Sequence, residues 1–159
     1  MANGPGVVIE VDVDVGAERL WPLVTDVDLP ARFSDEFMGG DWLDEPGLGA
    51  RFVGRNQLEG MGRWETTSTV TAWEPNRRFG WAVGDPDDAA AHWAFELEPL
   101  AGATRLRQRV VLGSGPSGVT AAVAEQPDAE ALIVAGRRAM LAANMQRTLE
   151  GIKAVAEQQ

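Results

Sequence analysis

The chain contains no cysteine, which excludes disulfides, thiolate catalysis and Cys-bound zinc. Its one histidine, His92, cannot build a His-based metal cluster and leaves a single candidate base for any Ser-His-Asp arrangement. Tyrosine is absent although six tryptophans are present. Basic residues are short as well: 14 Lys and Arg against 24 Asp and Glu give a formal charge of −10. That balance argues against nucleic acid and against an anionic membrane, both of which need a basic face. No apolar run approaches the ~18 residues that span a bilayer. The opening "MANGPGVVIEVDV" lacks the basic start and long apolar stretch of a secretory signal, so a cytoplasmic protein is expected. No repeat, linker or low-complexity tract divides the sequence, and 159 residues suit one domain over 1–159 with a sizeable core.

What is there is periodic. Residues 7–15, "VVIEVDVDV", alternate Val7, Ile9, Val11, Val13 and Val15 with Glu10, Asp12 and Asp14, a strand with one face in water. "GAERLWPLVTDVDLPARFSDEF" reads as two short helices, the first limited by Pro22 and the second capped by Asp28 ahead of Pro30. Strands are expected at 38–43, 50–58, 63–74, 78–84, 92–99 and 104–112, separated by turn clusters such as "DEPG", "EPNR", "DPDD" and "LAGA". Such short connections make an antiparallel meander. Residues 119–157 are helical, and Leu141, Met145, Leu149, Ile152 and Ala156 form one apolar stripe. The fold class is α+β: a curved antiparallel sheet of about seven strands around a long C-terminal helix.

Parity assigns the two faces of the sheet. Glu96 and Glu98 face Arg105, Arg107 and Arg109 on an outer surface that also takes Arg51, Arg55, Arg63 and Glu65; opposite charges across neighbouring strands make this a structural ladder. The other face carries Trp93, Phe95 and Leu97, then Leu106, Gln108, Val110 and Leu112. The stretch "RFVGRNQLEGMGRWETTSTV", residues 51–70, sets a puzzle on that inner face. Phe52, Trp64 and Val70 share it with Asn56, Thr66 and Ser68. An inward amide or hydroxyl without a partner costs ~1–3 kcal/mol. These groups either bond one another or the backbone in a closed core, or line a space that holds water or ligand.

The element order, together with "AERLWPLVTDVDLPARF", "GARFVGRN", "RWETTSTVTAWEPNRRFGWAV", "HWAFELEPLAGATRLRQ" and "MQRTLEGIKAVAE", resembles the helix-grip superfamily of START-like and Bet v 1-like (SRPBCC) domains. Within it, the polyketide cyclase/dehydrase branch is the most similar. The resemblance implies a hydrophobic cavity between the long helix and the concave sheet face, and a small hydrophobic, aromatic or polyketide-like ligand. No cofactor, no nucleic-acid or membrane partner, and a monomer or homodimer are expected. The resemblance leaves the function open, because fold does not settle chemistry: a cyclase/dehydrase, a carrier or sensor that does not convert its ligand, or a co-chaperone-like interaction module.

Candidate ligand-binding residues follow. Trp64, Trp81, Trp93 and Phe95 on the strands, with Phe33, Phe37 and Trp42 near the short helices, would supply aromatic walls suited to a flat molecule. Asn56, Thr66, Ser68 and Gln108 would supply polar contacts, and Leu141 and Met145 the helix side. Arg138, between Val134 and Leu141 in the helical stripe, could hold a carboxylate or enolate if Gly136 leaves the helix continuous. No group in this set is a good base near neutral pH, so the catalytic residues are unknown. "GSGPSG", residues 113–118, matches G-x-G-x-x-G but lacks the parallel βαβ unit that makes it a dinucleotide site; it is expected to be a flexible connection. "GDPDDAA", residues 84–90, gathers three Asp as a cation loop would, and a DP-containing hairpin turn produces the same string. His92 has the outward parity.

Overall fold

The computed structural model describes residues 4–158. Strand β1 (Gly6–Val13) leads through Gly16 into helix α1 (Ala17–Val24) and a 3-10 turn at Leu29–Arg32. Six strands follow: β2 (Phe37–Trp42), β3 (Arg51–Leu58), β4 (Gly62–Glu74), β5 (Arg78–Val83), β6 (Ala91–Leu100) and β7 (Ala103–Leu112). Helix α2 (Gly118–Glu125), a 3-10 turn at Pro127–Ala129 and helix α3 (Glu130–Glu157) complete the described chain. All seven strands form one antiparallel sheet in the order β1-β7-β6-β5-β4-β3-β2. The chain is thus a meander from β2 to β7, with β1 added at the far edge.

Two details of the first segment differ from the sequence reading. The first strand stops at Val13; Val15 is buried beyond it, and its carbonyl accepts the Thr104 hydroxyl at 2.8 Å. The second short helix is a 3-10 turn, and Asp26 supports its start in place of Asp28: the Asp26 carboxylate accepts the Asp28 and Leu29 amides at 3.0 and 3.2 Å. The Asp28 carboxylate instead accepts the Gly40 amide at 3.0 Å, pinning the turn to β2.

The outer face carries the charge ladder. Register places Glu10 opposite Arg107, Asp12 opposite Arg105, and Glu96 and Glu98 opposite the same two arginines. Arg105 reaches Asp12 at 2.9 Å, Arg107 reaches Glu10 at 3.1 Å, and Arg109 reaches Glu96 at 3.3 Å. Exposed pairs of this kind add little to stability.

The inner face is not packed evenly along α3. Its C-terminal half, through Leu149, Ile152 and Ala156, closes on Val13, Leu20, Phe79, Phe95 and Leu106 in the main core. Farther toward the N-terminus of the helix only Leu141 and Met145 are buried, against Ala91 and Val110. α2 buries no residue and packs chiefly on α3. The helix grips the sheet at one end and stands over open space at the other.

Candidate functional site

That space is a cavity of about 1080 Å³ between the concave face and the helices. Its floor is built strand by strand from inward positions. Asn56 and Leu58 come from β3, Trp64, Thr66 and Ser68 from β4, Trp81 and Val83 from β5, Trp93 and Phe95 from β6, and Gln108 and Leu112 from β7. The roof is Val119 and Ala122 of α2 with Ile133, Gly136, Arg137, Leu141, Asn144, Met145 and Thr148 of α3. Exposed Met61, Leu132 and Met140 rim the opening.

Aromatic rings make one wall. Trp81 and Trp93 lie opposite each other across β5 and β6, with rings 6° from parallel and centroids 6.1 Å apart. Phe79 backs Trp81 at 4.9 Å, and Phe95 and Phe52 flank it at 5.9 and 5.8 Å. Edge and offset contacts of this kind hold each ring's orientation, so the wall is preformed. Phe37, paired with Asn56, lays its ring beside Gly54, where a Cβ would stand 3.1 Å from it.

The polar groups are where parity put them. Asn56, Thr66 and Ser68 line the cavity, and among the described residues none of their side chains has a hydrogen-bond partner. Gln108 is more telling, because it is 6% exposed and its Oε1 is buried with no partner.

Three of the fourteen residues nominated from sequence lie outside the lining. Trp42 packs behind the wall on Phe52 at 5.2 Å and near Trp73 at 6.2 Å, joining the main core. The Phe33 ring lies flat on Gly151 of α3, occupying the space a side chain would take there, with the Arg32 guanidinium 5.5 Å above it. Arg138 turns away: its Nε donates to the Gly6 carbonyl of β1 at 3.0 Å. The helix runs unbroken through Gly136, so its cavity-facing row is Ile133, Gly136, Arg137, Met140, Leu141, Asn144 and Thr148. One residue farther on is about 100° around the axis.

The arginine at the cavity is therefore Arg137, which the sequence reading passed over. It forms a bidentate pair with Glu36, Nη1 to Oε1 at 2.6 Å and Nη2 to Oε2 at 2.8 Å, with both side chains largely buried. Glu36 stands in the bend before β2, where the Ser34 hydroxyl oxygen accepts the Glu36 and Phe37 amides at 3.0 and 2.9 Å. Next to it, Asp35 pairs with Arg147 at 3.0 Å, and its amide donates to Asn144 Oδ1 at 3.4 Å. These contacts tie the bend to α3.

The remaining motifs resolve as structure. The "GSGPSG" segment is a seated strap, not a loose connection: the Gly113 and Gly115 amides donate to the Ala90 and Ala89 carbonyls at 2.9 and 3.0 Å. A Cβ on either glycine would collide with that backbone. Ser117 then caps α2 in a reciprocal capping box with Thr120. In "GDPDD", Asp85 Oδ1 accepts the Asp87 amide at 2.9 Å in a turn; among the described residues no three acidic or histidine side chains converge as a metal site. His92 pairs across the ladder with Ala82 and Val111, away from the lining, and partial burial pushes its pKa down.

The family described as polyketide cyclase/dehydrase and lipid transport matches residues 5–157. The chain belongs to that family. A polyketide-cyclase-like protein of Corynebacterium glutamicum, solved by NMR, is 26% identical and aligns over 99% of this chain and 94% of its own, with a TM-score of 0.71. The ZhuI aromatase/cyclase of a Streptomyces species is 20% identical over 97% of this chain and 94% of its own (TM-score 0.70). The two-domain aromatase/cyclase BexL is 20% identical, with 96% of this chain covering 50% of that one (TM-score 0.70). The last two likenesses show the fold. Among curated proteins none matches the chain. Membership accounts for the helix-grip sheet and for a ligand-binding space of this kind; no described helix is long and apolar enough to cross a membrane.

Proposed function

We propose that this member of the family binds a flat, polycyclic, polyketide-like molecule in the cavity and holds it in a defined orientation. The observation that carries the reading is the pairing of a preformed aromatic wall with polar side chains that have no protein partner. Stacked rings such as Trp81 and Trp93 offer broad apolar faces, while Asn56, Thr66, Ser68 and Gln108 offer directional contacts. Small-molecule sites commonly combine a mostly apolar concave lining with a few placed polar groups.

The lining contains no histidine or tyrosine, and the one carboxylate beside its arginine is bound to that arginine. Catalysis of ring closure here would rest on orientation and hydrogen-bond donation, not on a strong general base. The paired charges of the outer face leave no specific observation in favour of a protein-interaction module.

Pyrene provides a direct test. Three of the six tryptophans line the cavity, so binding should quench tryptophan emission saturably, and Trp93→Ala should weaken it by about tenfold, the loss of one aromatic contact. A chain that quenches only linearly up to the probe's solubility limit, and carries no small molecule in native mass spectra of fresh preparations, would remove the reading. Turnover of a poly-ketone mimic separates a cyclase from a carrier.

A further inference from the structure

We infer that the ligand is uncharged and carries a hydroxyl directed at Gln108, an inference that rests on the binding function proposed above. The side chain of Gln108 is 6% exposed, lines the cavity and leaves Oε1 buried without a partner. Buried polar atoms in folded proteins are nearly always paired; Oε1 as it stands has almost no accessible surface, so a bound molecule meets this amide through whichever atom turns to the cavity. Turning about its last torsion lets the amide present either its oxygen or its nitrogen. A hydroxyl meets both cases, since it donates and accepts; a bare ring meets neither.

The charge requirement comes from the opposite side of the same space. Two largely buried charged side chains stand at the cavity, Glu36 and Arg137; Asp26 and Glu65 border it but are exposed, Glu65 on the outer face opposite Arg55. The single cation is engaged through both terminal nitrogens by Glu36, and Asp26 is held by the amides of the 3-10 turn. Glu36 already neutralises the guanidinium through two of its five N–H donors, so a ligand carboxylate at Arg137 finds no unpaired cation and sits beside a largely buried carboxylate. This reverses the expectation that an arginine here would hold a carboxylate.

Three probes with one ring system test it: pyrene, 1-hydroxypyrene and 1-pyrenecarboxylate, titrated against the full chain by tryptophan quenching near pH 7. Expected is a 1-hydroxypyrene affinity about tenfold to a hundredfold above that of pyrene, the worth of satisfying one buried polar group. The carboxylate should bind more weakly than the hydroxyl probe. In Gln108→Leu the ratio of 1-hydroxypyrene to pyrene affinity should fall to about one; Gln108→Met serves if the first variant misfolds. Equal affinities for pyrene and 1-hydroxypyrene, tightest binding by the carboxylate, or an advantage that survives both substitutions would each overturn the inference while leaving the cavity's binding role intact. If none of the three probes binds, the proposed function itself falls and takes this inference with it.

Discussion

The Glu36–Arg137 pair makes a sharp energetic prediction. It joins the bend before β2 to α3 through two short charge-assisted hydrogen bonds, with side chains 11% and 23% exposed. Removing one partner of a fully buried pair costs about 3–5 kcal/mol, because the survivor stays desolvated and unpaired. Arg137 keeps some access to the cavity's water, so the low end applies. Glu36→Leu and Arg137→Met should each cost about 2–3 kcal/mol, which for a chain of this length is a fall in Tm of about 5–10 °C. Replacing both at once, Glu36→Leu with Arg137→Met, removes both desolvated charges and should cost less than either single change, within about 1 kcal/mol of wild type. Urea unfolding of the four proteins closes the cycle, and the coupling should be about 2 kcal/mol or more. Single costs below about 1 kcal/mol that simply add would refute the reasoning, since they would make the pair a solvated surface contact.

Other outcomes follow from the same geometry. Gly151→Ala should destabilise by about 1–2 kcal/mol despite alanine's better helix propensity, because its methyl would displace the Phe33 ring lying on α3; Phe33→Ala in that background should recover part of the loss in thermal melts. Gln108→Leu should raise ligand-free stability by about 1 kcal/mol, as it removes a buried unpartnered amide; a loss of stability would mean the amide is satisfied in the folded chain. The pH dependence has a definite sign. A hydrogen bond from Arg105 holds Asp12 below the ordinary carboxylate range, and one from Lys153 does the same for Glu157. Folded values below unfolded ones contribute stability above that range and lose it as pH falls through the lowered folded values. Tm should therefore hold between about pH 7 and 5 and drop below about pH 4, and Asp12→Asn should shallow the drop in a pH series of melts.

Most of the sheet was legible because the strand period is an integer. Once Phe52, Trp64 and Val70 mark the inner face, Asn56, Thr66 and Ser68 are committed to it, and the strand boundaries fall within a residue or two of the expected ones. A helix has no such arithmetic. Positions 137 and 138 are both compatible with a stripe through Leu141, being four and three residues before it, and only the direction in which α3 crosses β1 separates them. Arg138 meets the Gly6 carbonyl and Arg137 meets the cavity. Glu36 was invisible for another reason: it sits in an irregular bend, where no periodicity says which way a side chain points. Phe33 and Trp42 have the residue type of a pocket wall, yet their positions are decided by Gly151 and by Trp73, contacts distant in sequence. Glycine in the 113–118 strap announced flexibility from composition, while its use is close approach to the Ala89 and Ala90 backbone.

The placement of β1 bears on how the molecule assembles. Strands β2 to β7 meet their neighbours through short hairpins, whereas β1 waits for β7, with Asp12 and Arg105 separated by 93 positions. Loop closure over that distance carries a large entropic barrier, and chains rich in such distant pairings fold slowly. During synthesis the first strand leaves the ribosome early and stays unpaired until the seventh has followed it. Since α3 lies along β1, the roof of the cavity rests on a strand that only this most distant pairing holds in the sheet.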